Sequence, residues 1–330
     1  MPSNITILPS GRTLPCEGSS TLLEAGLRAG LALGYGCSNG NCGECLARVV
    51  SGEVRKVRHH DFVISEEKKN SGHVLMCCNT AVRDVVIEAL EAHGSAEIPL
   101  QEITARVRNI EIFNGDVALL HLKTPRSKRL RFLAGQQVQL ELPGIDPAVY
   151  PISSCPCDDM NLHFQLPALP GDTFSEHVFT RLARGDQVDI RGPEGDFVLD
   201  ETSGRSLVFI AWHTGFAPVR SLVEHAMALE FTGSMQLVWM TRSRRDRYQD
   251  NLCRSWQDAF ENFRYLPVDA SPGDETVNTA SILELLSIDP ANTETYDFFV
   301  SGDQTFTKRF RPNPGWAFMT TPASPSEPAA

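Results

Sequence analysis

The sequence has no run near the eighteen or so uninterrupted apolar residues that a membrane-spanning helix needs. Its opening stretch, MPSNITILPSGRTLPC, lacks a basic segment followed by an apolar one, so a secretory leader is not expected. Basic residues are in the minority: 30 Lys and Arg stand against 41 Asp and Glu, a formal charge of −11, and the acidic excess extends over the whole chain. With no basic domain inside that total, the electrostatic footprint of a nucleic-acid partner is missing. Internal repeats are absent, as are a nucleophile elbow, a Walker loop and an HExxH pair. Cysteine is scarce after residue 78, where only Cys155, Cys157 and Cys253 remain. What is present is 330 residues that are 42% hydrophobic, enough for two or three separate cores. The expected compartment is a reducing cytoplasm, in which cysteines serve as metal ligands more than as disulfides.

The chain changes texture three times. Residues 3–8 alternate as a strand, 21–33 carry leucines at helical spacing with Ser20 or Thr21 as N-cap, and 47–50 and 85–89 complete a small β-grasp-like unit over 1–95. A Gly-, Pro- and polar-rich stretch at 94–104 reads as a linker. From 101 to 200, short β-branched and aromatic runs broken by Gly, Pro and Asp predict an antiparallel β-barrel. From 205 to 311, strands and helices alternate, which implies a Rossmann-like parallel sheet covered by helices. The fold class is thus multidomain, α+β followed by α/β. The segment 312–330, dense in Pro, Ser and Ala, is expected to be a disordered tail.

The sharpest chemical signal is Cys37-SNGN-Cys42-GE-Cys45, with Cys77 and Cys78 further on. C-x4-C-x2-C…C is the spacing of plant-type [2Fe–2S] ferredoxins. A tight loop lets several thiolates converge while backbone N–H groups point at sulfur, and Gly36, Gly40 and Gly43 permit the winding. Zinc normally presents paired short spacings, which this stretch lacks. Cys155-Pro-Cys157 has no companion ligands and reads as structural, and His59-His60-Asp61 as a polar surface segment.

The cysteine loop, the later Gly192-Pro-Glu-Gly-Asp-Phe197 and Thr214-Gly-Phe-Ala-Pro218 fall in the order found in ferredoxin–NAD(P)+ reductase-type flavoproteins with an N-terminal [2Fe–2S] domain. The chain resembles the reductases that accompany CDP-6-deoxyhexose dehydratases and the reductase components of aromatic-ring oxygenases. That resemblance covers residues 4–311. It implies a [2Fe–2S] cluster on Cys37, Cys42, Cys45 and Cys77, the last chosen because Leu75-Met76-Cys77 is similar to the family's L-x-C. It also implies FAD against Tyr150, Ile152, Ser153, Gly171 and Ser175, and NAD(P)H at Thr214 and Gly215. Electrons would pass from the two-electron nicotinamide through flavin to the one-electron cluster and on to an oxygenase or dehydratase.

Several positions depart from the family pattern. Ala148 replaces the arginine of R-x-Y-[ST], Pro167 stands where another cation is usual, and Asp172 puts a carboxylate beside the expected pyrophosphate. Trp212-His213 replace two glycines of G-G-T-G-x-A-P, and Ser301-Gly302-Asp303 replaces C-G-P. These changes predict weak flavin binding, with FMN as an alternative flavin, and slow hydride transfer, with Trp212 obstructing the diphosphate. They also leave open a non-enzymatic electron-transfer subunit on a degenerate reductase scaffold. Arg242, Arg244, Arg245 and Arg247 crowd the loop where relatives contact the adenosine end of the nucleotide, although a solvated arginine face is the plainer reading.

Overall fold

Strict alternation in β1 (Ser3–Leu8) turns Ile5 and Ile7 into the core and leaves the intervening residues outward, as the two-residue period of a strand requires. In this computed structural model, which describes residues 3–322 apart from 272, 273, 275, 311, 312 and 314, that strand centres the first unit. β1 pairs antiparallel with β2 (Arg12–Cys16) and parallel with the later β7. Between them come α1 (Leu22–Arg28), β3 (Leu46–Ser51), β4 (Val54–Lys56), α2 (Glu66–Asn70), β5 (His73–Leu75), β6 (Asn79–Ala81) and β7 (Val85–Glu88). The sheet order is β2-β1-β7-β3-β5. Thr21 starts α1 with a capping box: its hydroxyl accepts from Glu24 N–H, and the Glu24 carboxylate accepts from Thr21 N–H. Leu22, Leu23 and Leu27 then pack on the sheet.

The second unit holds β8 (Gln101–Phe113), β9 (Val117–Lys123), β10 (Gln137–Leu142), β11 (Ile145–Pro151), β12 (Asn161–Pro167), α3 (Thr173–Thr180) and β13 (Gln187–Glu194). Its strands pair antiparallel in the order β11-β10-β13-β8-β9-β12. The chain leaving β11 reaches the far edge, where Ser153 N–H donates to His163 O at 2.8 Å, so the sheet curls into a barrel-like shape.

The third unit contains β14 (Ser206–Trp212), α4 (Phe216–Ala228), β15 (Met235–Thr241), α5 (Asp250–Ala259), β16 (Phe263–Asp269), α6 (Thr279–Leu286), β17 (Tyr296–Gly302), α7 (Gln304–Lys308) and β18 (Ala317–Thr320). All five strands run parallel in the order β16-β15-β14-β17-β18. With helices on both faces, β14 and β15 are buried along almost their whole length, which explains the continuous apolar runs.

Three expectations need correction. The 94–104 stretch is not a free linker: Ile98 packs with Ala92 and Leu133, and β8 begins at Gln101. Residues 317–320, assigned to the tail, form β18, held to β17 and anchored by Trp316, which stacks on Phe298 at 4.0 Å. Residues 323–330 of that tail lie outside the described residues. Cys155 and Cys157, read as structural in a chain whose cysteines were expected to serve as metal ligands more than as disulfides, are joined in a disulfide in the turn after β11.

Candidate functional site

The loop between α1 and β3 carries the first three cysteines. Gly40 and Gly43 both have φ of +82°, a left-handed conformation that glycine adopts without penalty. Space matters as much as torsion there. A Cβ at Gly40 would press on the His60 backbone and the Cys78 thiol, and one at Gly43 would run into the Phe62 ring. The segment 58–62 therefore lies directly over the cysteine loop, with His59 and Asp61 on its solvent side.

The thiols fall into two pairs. Cys42 N–H points at Cys37 Sγ at 3.4 Å, and Cys45 Sγ lies 3.2 Å from Cys77 Sγ. Glu44 N–H points at Cys42 Sγ at 3.5 Å. Burial works to raise the Cys37 thiol, but backbone N–H groups of Asn39, Cys42 and Asn41 outweigh it and hold the group below its ordinary value. The hydrogen bond from Cys77 holds Cys45 down to about 7 and in return pushes Cys77 up. Among the described residues, no three His, Cys, Asp or Glu side chains gather round a single metal ion. Two pairs of thiols suit two iron atoms better than one zinc. Cys78 Sγ lies 3.6 Å from Cys77 Sγ, and its thiol also donates to His59 O at 3.7 Å.

Of the residues expected around flavin, Tyr150, Ile152, Ser153 and Ser175 are covered by the chain itself, while Gly171 is exposed. Tyr150 is 1% exposed and packs on Phe174 with ring centroids 5.8 Å apart. Burial pushes its hydroxyl up, and the nearby Asp172 carboxylate adds to the effect. Ile152 and Ser153 are fully buried, and Ser153 Oγ has no hydrogen-bond partner. Asp172 is the N-cap of α3, accepting from Ser175 N–H at 2.7 Å, while Ser175 Oγ ties Leu169 N–H to Pro167 O. Gly171, at φ +81°, gives its N–H to Glu176 at 3.1 Å. Two carboxylates thus stand at the helix N-terminus where a pyrophosphate would need donors. The boundary with the third unit is also closed: Tyr248 Oη donates to Gln165 at 2.7 Å, and Gln165 donates to Gln249 at 3.0 Å.

On the nucleotide side, Trp212 is not an obstruction at the turn. Its ring stacks on Phe306, 5.9 Å away, in the core beneath α6 and α7. The strained residue at the turn is His213. It has φ of +47°, is 3% exposed, receives the Trp239 indole N–H on its carbonyl at 3.0 Å and faces the Tyr248 ring. Burial, helped by Arg242, lowers its pKa to about 4, so the imidazole is neutral at pH 7. Thr214 is buried, and Gly215 is required by a close approach, since a Cβ there would strike Ser301 O and Gly302 N. Asp303 caps α7, accepting from Phe306 N–H at 2.9 Å. Of the arginines, Arg247 is buried in an ion pair with Asp269, whereas Arg244 and Arg245 are exposed. Sequence reasoning missed His213 as the strained position; the signal was its alignment with a glycine.

Three family models match in the order of the three units: a 2Fe-2S iron-sulfur cluster binding domain over residues 5–83, an oxidoreductase FAD-binding domain over 104–199 and an oxidoreductase NAD-binding domain over 209–311. The aromatic O-demethylase reductase subunit of an Amycolatopsis species is 32% identical over 265 residues, covering 78% of each chain. The CDP-6-deoxy-L-threo-D-glycero-4-hexulose-3-dehydrase reductase of Yersinia pestis is 29% identical over 268 residues, 81% of this chain and 80% of that one. The crystal structure of the Amycolatopsis cytochrome P450 reductase GcoB superposes with a TM-score of 0.57 at 26% identity, covering 96% of this chain and 98% of that one. Fold and domain order define an electron-transfer oxidoreductase. The chain belongs to the ferredoxin–NAD(P)+ reductase-type iron–sulfur flavoproteins, which pass electrons from NAD(P)H through flavin to a [2Fe–2S] cluster. Its cofactors are the cluster, FAD and NAD(P)H.

The three groups meet the geometry differently. The glycine-wound loop and paired thiols fit a [2Fe–2S] cluster, which supplies a one-electron acceptor. The flavin-side residues do not fit a pyrophosphate in this closed arrangement, because Asp172 and Glu176 take the N–H groups it would use.

Two outcomes follow. Cys77→Ser is expected to lose most iron and acid-labile sulfide while Cys78→Ser retains both; the reverse pattern would overturn the choice of Cys77. For flavin, Ala148→Arg with Asp172→Asn restores one cation and removes one anion while keeping a helix cap. Charge-assisted contacts of roughly 1.5–3 kcal/mol imply FAD binding at least about tenfold tighter, measured by fluorescence titration.

Proposed function

We propose that the chain delivers single electrons from its [2Fe–2S] cluster to an oxygenase or dehydratase component in the cytoplasm. In this reading Cys37, Cys42, Cys45 and Cys77 hold the cluster. Tyr150, Ile152, Ser153, Gly171 and Ser175 face the flavin, and Thr214 and Gly215 face the pyridine nucleotide, once the barrel and the parallel-sheet unit part. The observation that carries the reading is the two thiol pairs in a glycine-wound loop, one pair for each iron. The choice of partner rests on the relatives, whose names attach them to an aromatic O-demethylase, a hexulose dehydrase, a terephthalate 1,2-dioxygenase and a phenol 2-monooxygenase. No helix among the described residues is long and apolar enough to cross a membrane.

One observation favours the second reading, a non-enzymatic electron-transfer subunit: Tyr150 is sealed under Phe174 instead of facing an open cleft. Stopped-flow mixing of flavin-reconstituted protein with NADH and with NADPH separates the two. Slow bleaching is expected in the wild type. It should be faster in His213→Gly, because glycine accepts φ of +47° without the roughly 1–2 kcal/mol of left-handed strain and removes the imidazole from the turn. Bleaching by neither nucleotide in either protein, despite reversible reduction by dithionite, would leave the electron-transfer subunit. Oxidation of the reduced protein by a purified oxygenase or dehydratase component tests the acceptor.

A further inference from the structure

The barrel unit reaches into the cluster loop through one short segment. Arg129 N–H donates to Gly36 O at 2.8 Å, and Ser38 N–H donates to Arg126 O at 3.1 Å, so residues 126–129 and 36–38 run side by side. The Arg129 side chain follows the same direction. It is 2% exposed, and its Nε and Nη2 donate to Ser38 Oγ at 3.2 and 3.1 Å while Nη1 donates to Thr124 Oγ1 at 2.8 Å. Ser38 directly follows Cys37. A guanidinium cannot shed its proton in a protein, so a fixed positive charge lies buried behind the first cysteine of the loop. Its counter-charge is Asp159, whose carboxylate lies 3.6 Å from Arg129 Nε, too far for a hydrogen bond, and is also faced by the Tyr35 hydroxyl.

We propose that Arg129 is a positioning residue for the cluster: it fixes the cysteine loop to the barrel, and its charge, partly balanced by Asp159, sets the potential at which the cluster takes up an electron. Reduction of a [2Fe–2S] cluster adds one negative charge, and the potential depends on nearby charge, hydrogen bonding and burial. In a buried site a cation acts over longer range than in water, so a fixed guanidinium favours the reduced form and an ionised Asp159 opposes it. The electron is the one delivered by the established activity, and no proton transfer is involved. The inference rests on the cluster assignment to Cys37, Cys42, Cys45 and Cys77.

The test uses the full-length protein with its cluster, reduced stepwise and followed by EPR, with iron and sulfide measured on each sample. Asp159→Asn keeps the shape and leaves Arg129 unbalanced, so the midpoint potential is expected to move positive. Adding Arg129→Gln to that variant removes the remaining charge and should bring the potential back toward the wild-type value. A role confined to packing would move neither. Full cluster content in Asp159→Asn with an unchanged or more negative potential overturns the inference. If Asp159→Asn fails to assemble the cluster, the double variant must recover it, because the cause would be an uncompensated buried charge; no recovery also overturns the inference. Wild-type protein without iron and sulfide would instead overturn the cluster assignment itself.

Discussion

The loop from Cys37 to Cys45 can hold Cys37 beside Cys42 and bring Cys45 to Cys77 only because backbone comes closer there than a side chain would allow. Gly40 and Gly43 are the points of closest approach, one beneath His60 and the other beneath Phe62. The same winding exposes the Gly36 carbonyl and the Ser38 N–H to the barrel, which binds both. Loop geometry and domain docking are therefore one constraint. Loosening the loop would remove two backbone hydrogen bonds to residues 126–129 as well as the hydroxyl that Arg129 holds. Arg131 adds a second tie by donating to Ala32 O at 2.8 Å, and on the other side Glu201 bridges Arg12 of the first unit and His225 of α4. The cluster unit is thus bound to both of its neighbours.

The same local logic explains two departures from the family pattern. Asp172 and Asp303 look adverse when judged only by charge near a phosphate or nicotinamide. In the fold each is the N-cap of a helix, α3 and α7, and each accepts a backbone N–H that would otherwise lack a partner. A cap is worth about 1 kcal/mol to the helix wherever it occurs. An anion-binding helix start gives up that local stabilisation in order to keep its donors for the ligand. This chain has the opposite arrangement at α3: the helix is satisfied internally, and the ligand must compete with its own cap.

Legibility followed the range of the interactions involved. The cysteine loop, a helix start at Ser20 or Thr21 and the alternation of strands and helices after residue 205 are local patterns, and all could be read directly, the structure choosing Thr21 as the cap. Where the outcome depended on which side of a sheet a residue faces, the sequence was ambiguous. Trp212 ends β14, and a one-residue change in its facing separates a plug in the nucleotide turn from a core ring stacked on Phe306. His213 is the residue that packs against Tyr248 instead. The linker at 94–104 was misread because turn-forming residues do not reveal that Ile98 finds Leu133 across the domain boundary. Arg129 carries no motif at all; its role comes from a contact across 91 residues of sequence.

The two interfaces of the barrel differ in kind. Toward the cluster unit the contacts are backbone hydrogen bonds and a buried guanidinium, groups that would be costly to expose unpaired. Toward the parallel-sheet unit, Val117, Ala134 and Phe197 share one buried apolar core with β14, α4 and β15, and Ser221 to Ser154 O, Tyr248 to Gln165, and Gln165 to Gln249 add hydrogen bonds between neutral groups. Such bonds are each worth about 1 kcal/mol net, whereas stranding a buried charge costs several times that.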